Sequence, residues 1–432
     1  MVQLPYDVVY GIAEEVVAFT EGDRREAWPF DHPALLPSWL SGDVDAAKTL
    51  RACALVCKAW SAPASAVNIR HLDIWQATPK AISTALSDGD RYEFVHHFQA
   101  GRECCPVCEA ISSGGKVKGG AGMKVCRNGV TMQTLLSTLS RCTNVRRVTV
   151  HEWAWDLPYA LVDYTTYPPL DTVTSLCLGL NAEASRPLDV QSFRHLLQLL
   201  PALKRLSFGR LAQTRTLYII PPPPEFRLES LAVRDARLSG FNDYEWLLFN
   251  SRATLRTLWV YNMIGDDDRM ALFRAIRIIA APLRTLYYFG SHAHMDLDIL
   301  GACPRLEELF VDALRTLHML QRISESIDRY AALRRLSLVT EGFMSRRPVR
   351  VSLFIAEEDV RTLMHLLSNA VNAFPKLEVL SILTSPNVVI EDPPLRALRA
   401  LRRACESRSI VFIFPLMAEL EAAVLNGFTI VP

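Results

Sequence analysis

The chain has 432 residues, half of them apolar, and a formal net charge of +1. That length accommodates several ordinary domains, or one small module and an extended array. The near-zero charge gives no global field that would draw the chain to nucleic acid or to an acidic membrane surface. No apolar run approaches the roughly 18 residues needed to span a bilayer. MVQLPYDVV lacks the basic start and long apolar core of a secretory signal. Ten cysteines in so long a chain do not make a disulfide scaffold, so a reducing compartment is expected, cytoplasm or nucleus.

The first predicted elements are two short helices. In Leu4 to Phe19, Pro5 suits a first helical turn, where its missing N–H has no intrahelical partner. Val8, Val9, Ile12, Val16 and Phe19 then recur with a helical period. The second helix, Lys48 to Trp60, places Leu50, Cys53, Ala54 and Cys57 on one face, which Val56 and Trp60 continue at four-residue spacing. Neither helix can bury its apolar face alone. Between them, at about 20–46, runs a charged, Pro-rich insertion carrying Trp28 and Trp39.

The Leu-Pro opening, the short apolar helix and the later "leucine … valine-cysteine-x-x-tryptophan" resemble an F-box. The matching residues are Leu4, Pro5, Asp7, Val8, Val9 and Ile12, then Leu50, Leu55, Val56, Cys57 and Trp60. The resemblance covers about residues 1–70, and the inserted loop is roughly twice the usual connection. It implies docking to the Skp-type adaptor of a cullin ubiquitin ligase through Leu4, Pro5, Val8, Ile12, Leu50, Val56, Cys57 and Trp60. Without the resemblance, the same helices read as an ordinary cap on the segment that follows.

Next come a cysteine group and a glycine-rich loop. Cys105-x-x-Cys108, beside Cys104, has the spacing of half a zinc site. No second pair follows, although Cys126, Cys142, His96 and His97 are near in sequence, so free thiols are expected and no metal. Residues 111–129 are rich in glycine and lysine but offer no Walker spacing, and they read as a flexible solvated loop.

From there the chain repeats itself. Leucine-x-x-leucine-x-apolar begins at Leu203, Leu228, Leu255, Leu283, Leu306, Leu333 and Leu377, with looser copies from Val145 and Val173. Most spacings are about 23–30 residues, the leucine-rich-repeat range. Each copy ends with the alternation of a half-buried strand. Helical patterns lie between: VQSFRHLLQLL, RMALFRAIRII, LHMLQRISESI and VRTLMHLLSNAV. The four prolines from Pro221 to Pro224 read as a stiff turn between repeats. On the last helix, Arg396, Arg399, Arg402 and Arg403 lie opposite Leu395, Leu398 and Leu401, as a solvated face does.

The predicted fold class is α/β. A small helical module (1–70) precedes an irregular leucine-rich-repeat solenoid (71–432), with parallel strands on its concave face and helices on its convex face. An F-box followed by such repeats resembles the large F-box families of mushroom-forming fungi. No nucleophile elbow, zinc helix or nucleotide fingerprint is present. His292, His294, Asp296 and Asp298 form the densest polar cluster and read as a surface loop. No catalytic residue and no cofactor are predicted.

Recognition remains. With the leucines inward, the alternating residues face the other side of the sheet. That places Trp259 and Tyr261 on one strand, Tyr287 and Phe289 on the next, and Phe310 and Asp312 on a third. Arg205, Arg234, Glu308 and Arg335 lie at the flanks. Tryptophan, tyrosine and arginine together have the make-up of a protein-binding hot spot, which assigns a client protein to Arg234, Trp259, Tyr261, Tyr287, Phe289, Phe310 and Asp312. Two arrangements are open: the patch faces solvent, or a segment such as the C-terminal tail folds back over it. The function expected is a substrate receptor binding adaptor, cullin complex and client, but no nucleic acid or membrane. The alternatives are a repeat scaffold unconnected to ubiquitin and, more remotely, a metal enzyme.

Overall fold

The structure, a computed structural model, describes residues 8–9, 63, 71–74, 91–100, 131–150, 162–178, 188–209, 211–212, 221–234, 242–261, 266–289, 303–312, 332–339, 360–361, 363–365, 367, 374–383 and 395–414. The chain divides into two compact units. The described residues through Ser251, with 266–268, belong to the first, and residues 252–261 and those from 269 onward belong to the second. This division falls among the repeats. The expected module boundary near residue 70 lies outside the described residues, as do the inserted loop, the glycine-rich loop and the helix predicted at LHMLQRISESI.

The fold is α/β on parallel strands. In the first unit these are β1 (His71–Ile74), β2 (His97–Ala100), β3 (Arg147–Val150), β4 (Ser175–Leu178), β6 (Arg205–Phe208) and β8 (Ser230–Arg234). Each pairs in parallel with the next in that order. Two further short strands, β5 (Leu188–Asp189) and β7 (Leu211–Ala212), make a separate parallel pair. The unit's helices are α1 (Met132–Leu139), α2 (Val190–Gln198) and α3 (Asn242–Leu248). The second unit repeats the plan with β9 (Thr257–Tyr261), β10 (Thr285–Phe289), β11 (Glu308–Asp312), β12 (Arg335–Val339), β13 (Val379–Leu383) and β14 (Val411–Ile413), again parallel in chain order. Its helices are α4 (Asp266–Ile279) and α5 (Leu395–Glu406), with helical backbone also among residues 360–367.

Every predicted repeat is a strand, and the same turn precedes six of the nine. The N–H of the first leucine-type residue donates to the carbonyl three residues earlier: Val145 to Cys142, Val173 to Leu170, Leu203 to Leu200, Leu283 to Ala280, Leu306 to Cys303 and Leu377 to Phe374. The two residues after that leucine then share one carbonyl of the preceding copy. Thr174 and Ser175 donate to Arg146, at 2.8 and 3.0 Å; Lys204 and Arg205 donate to Thr174; Glu307 and Glu308 donate to Arg284; Arg334 and Arg335 donate to Glu307. This staple leads each strand into the ladder at one register.

In that register like repeat positions stand beside one another. Leu176, Leu206 and Leu231 align in the first unit, and Leu258, Leu286, Leu309, Leu336 and Leu380 in the second. All eight are buried. Helices cover this face by their apolar stripes: Leu272, Ala275, Ile276 and Ile279 of α4 are buried, at helical spacing, while Arg274 and Arg277 are exposed. On α5, Leu398, Leu401 and Cys405 are buried and Arg396, Arg399, Arg402 and Arg403 exposed, the solvated face expected.

Side chains satisfy the backbone where the ladder stops. Asp189 caps α2 by accepting from Ser192 N–H at 3.0 Å. The prolines at 221–224 have no N–H, so only their carbonyls need partners. Trp246 of α3 donates to the carbonyls of Pro221 and Pro222, each at 2.8 Å, and Asn250 to that of Pro224 at 2.7 Å. The turn is thus structural, as the sequence indicates. Replacing Trp246 with Phe removes the indole N–H that both carbonyls share and keeps most of the ring volume. It should lower the unfolding free energy by about 1–2 kcal/mol, read from the denaturant midpoint.

The last described turn departs from the others. After α5, Ile410 N–H donates to Cys405 C=O and Ser409 N–H to Glu406 C=O, a Schellman pattern. Ser409 has φ 59°, which glycine tolerates without the Cβ clash that a side chain brings. Ser409→Gly should therefore stabilise the chain by about 0.5–1 kcal/mol, measured as a rise in thermal midpoint.

Candidate protein-binding site

The face opposite the leucines carries the residues assigned to client binding. Register places Trp259 beside Tyr287 and Tyr287 beside Phe310. Strands in a sheet lie about 4.8 Å apart, close to the spacing at which flat rings stack. The rings use it: Trp259 and Tyr287 have centroids 3.6 Å apart at 15°, and Tyr287 and Phe310 are 4.2 Å apart at 18°. The row continues with Ser337 and Ser381, whose hydroxyls are hydrogen-bonded, Ser381 Oγ donating to Ser337 Oγ at 2.6 Å.

The solvent-facing arrangement does not hold for this row. Trp259, Tyr287 and Phe310 are 1 %, 6 % and 8 % exposed, and both serines are buried. Rings stacked face to face take most of their apolar area from water together, and such pairs contribute about 0.5–1.5 kcal/mol beyond burial alone. In the first unit the corresponding row, Thr149, Cys177, Ser207 and Ala232, is small and also buried. These three aromatics are withdrawn from solvent and belong to the internal packing.

Register aligns Phe289 with Tyr261, and Val339 with Asp312. The side chains of Tyr261, Phe289, Asp312 and Arg234 lie outside the described residues. At the start of the strands, Glu308 and Arg335 face each other and pair at 3.5 Å. Arg284 pairs with Glu307 at 3.2 Å and Arg334 with Glu378 at 3.8 Å. All are substantially exposed, so each pair contributes little to stability. Opposite charges set directly across strands still favour this register over one that places like charges together.

Of the residues assigned to adaptor docking, one is described. Val8 lies in helical backbone and is 45 % exposed, while its neighbour Val9 is fully buried. Leu4, Pro5, Ile12, Leu50, Val56, Cys57 and Trp60 lie outside the described residues. So do Cys104, Cys105, Cys108, Cys126, His292, His294, Asp296 and Asp298.

Among the described residues no three His, Cys, Asp or Glu side chains are grouped so as to hold a metal ion. Burial pushes the thiols of Cys142 and Cys303 up to about 12, and that of Cys405 to about 11. They act as small apolar core residues, held as unreactive thiols. A titratable cluster unforeseen in the sequence surrounds α2. His195 stacks on Tyr164 with centroids 4.8 Å apart, and Gln191 Nε2 lies 3.0 Å from His195 Nε2. Burial lowers the His195 pKa and raises that of Tyr164, so both are neutral at pH 7. Also among the described residues, no helix is long and apolar enough to cross a membrane.

If the aromatic row is core, truncation costs stability. Tyr287→Ala should destabilise the chain by about 3–5 kcal/mol, measured in urea. A change under about 1 kcal/mol would place the ring at the surface.

No family model matches the chain, and no curated protein matches it.

Proposed function

We propose that the chain is the substrate-recognition subunit of a cullin-type ubiquitin ligase. Its N-terminal helices dock a Skp-type adaptor through Leu4, Pro5, Val8, Ile12, Leu50, Val56, Cys57 and Trp60, and its repeats hold a client protein. The observation that carries this reading is the Leu4-Pro5 sequence opening and the Leu55-Val56-Cys57-x-x-Trp60 signature placed ahead of parallel repeats. The contrast between exposed Val8 and buried Val9 supports it, since a docking helix keeps apolar side chains outward while anchoring its other face.

On this reading the stacked strands are an irregular leucine-rich-repeat solenoid. Support comes from the chain-order pairing, the recurrent turn and the copy length of about 23–30 residues. The client surface lies around the buried aromatic row, because that row is withdrawn from solvent. Ubiquitin transfer belongs to other subunits, and this chain is a bridge that raises the client's effective concentration near the conjugating enzyme.

The test is co-purification with a Skp-type adaptor. The intact chain should form a stoichiometric complex, and a Val8→Asp, Trp60→Ala variant should lose it by at least roughly tenfold in affinity. A folded chain that captures no adaptor would leave a repeat scaffold whose first helices serve as a cap.

A further inference from the structure

The ring pair of Tyr164 and His195 joins two pieces of the first unit. On one side is a short 3-10 turn, Tyr164–Thr166, which opens on Asp163; its carboxylate accepts from Thr165 N–H at 3.1 Å. Thr166 N–H donates to Asp163 C=O and Tyr167 N–H to Tyr164 C=O. Pro168 and Pro169 follow and have no N–H. The segment then reaches the end of α2, where Leu170 N–H donates to Leu199 C=O at 2.7 Å and the Leu170 side chain is buried. On the other side is α2 itself, which presents His195 flat against Tyr164, the two planes 22° apart.

The hydrogen bonds around His195 run in one direction. Arg194 is 3 % exposed, and its Nη1 donates to Gln191 Oε1 at 3.5 Å. A guanidinium keeps its charge and only donates, so it fixes the oxygen end of the Gln191 amide. The nitrogen end then faces His195 Nε2, 3.0 Å away. The ring accepts there and carries its proton on Nδ1. A second proton would set N–H against N–H. Turning the amide over would relieve that clash only by pointing its NH2 at Arg194. Among the described residues, the charged and titratable groups acting on the ring are Tyr164 from the turn and Asp189 and Arg194 from α2 and its cap. Burial is the largest influence and disfavours the charged ring, as does Arg194, while Gln198 and Asp189 favour it without reversing the balance. The face of Tyr164 also attracts a cation, a weak effect at a half-buried site.

We propose that His195 is an acid-sensitive latch on the Tyr164–Leu170 segment: the neutral ring clamps Tyr164 to α2, and a second proton on the ring releases it. The closed ring resists a proton that the released ring takes up at its ordinary pKa of 6.5. Closure is therefore fully favoured above pH 6.5 and weakens as pH falls below it. Histidine is the side chain whose charge changes in that range. Mild acid thereby opens one strip of the first unit and leaves the ladder of strands closed. The latch involves none of the N-terminal helices and stands whether or not they dock an adaptor.

The test is amide hydrogen exchange of the full chain at about pH 7.5 and about pH 5.5, each peptide compared with its unstructured counterpart at the same pH. The amides of Thr165, Thr166, Tyr167 and Leu170 report the latch, and those of β12 and β13 serve as the reference. Expected is at least roughly threefold less protection of the segment at the lower pH, with the reference strands unchanged. His195→Phe keeps a ring to stack and does not titrate, so it should hold the segment equally at both pH values. Gln191→Glu offers the protonated ring an acceptor and should abolish or reverse the acid loosening. Equal protection of the segment at both pH values in the intact chain overturns the proposal, as does loosening that persists in His195→Phe. Loosening of undiminished size in folded Gln191→Glu would overturn the part played by the amide. Loss of protection in β12 and β13 together with the segment would make the change global unfolding and remove the latch.

Discussion

One carbonyl shared by two successive N–H groups, repeated at the start of strand after strand, is the constraint from which the rest follows. It joins each copy to the preceding one at a fixed offset. Because the pairing is parallel, a residue meets its own counterpart in the neighbouring copy and not a different position. Any property of a repeat position therefore becomes a row. The leucine positions become a continuous apolar core, the residues after them become a row of rings or hydroxyls, and the residues before them become a row of charges, mostly opposite in sign from one copy to the next.

Row formation also accounts for what the sequence shows and what it hides. Leucine-x-x-leucine-x-apolar located nine strands, because the pattern is the strand together with its turn. Two strands escaped it by substitution. In β2 the same form is spelled Val95, Phe98 and Ala100, and ahead of and along β1 it is spelled Ile69, Leu72 and Ile74. The pair β5 and β7 is two residues long in each member and leaves no periodicity to read. In β14 the leucine-type position is occupied by Ser409 in a left-handed turn, so only a strand-like run was visible, without a repeat.

The candidate site was legible in position and not in exposure. Strand periodicity correctly put Trp259, Tyr287 and Phe310 on the face away from the leucines and in one row. Whether a second face is wet or covered depends on what reaches it from elsewhere in the chain, which alternation within a strand does not encode. An aromatic row has the same local pattern whether it meets a partner or packs internally. The proline run is the converse case. Its role as a rigid turn was plain from composition, while its fixing by Trp246 and Asn250 from about 25 residues downstream needed the fold.

The charges at the strand starts limit how this chain can be rearranged. In the second unit the sequence along that row is Arg256, Arg284, Glu307, Arg334 and Glu378. Loss of the copy bearing β10 would set Arg256 against Glu307 and Trp259 against Phe310, so opposite charges and stacked rings would both survive. Loss of the copy bearing β11 would set Arg284 against Arg334 and leave Tyr287 facing Ser337. The copies resemble one another in outline but are not interchangeable, and shortening or lengthening of the array is tolerated at some junctions and resisted at others.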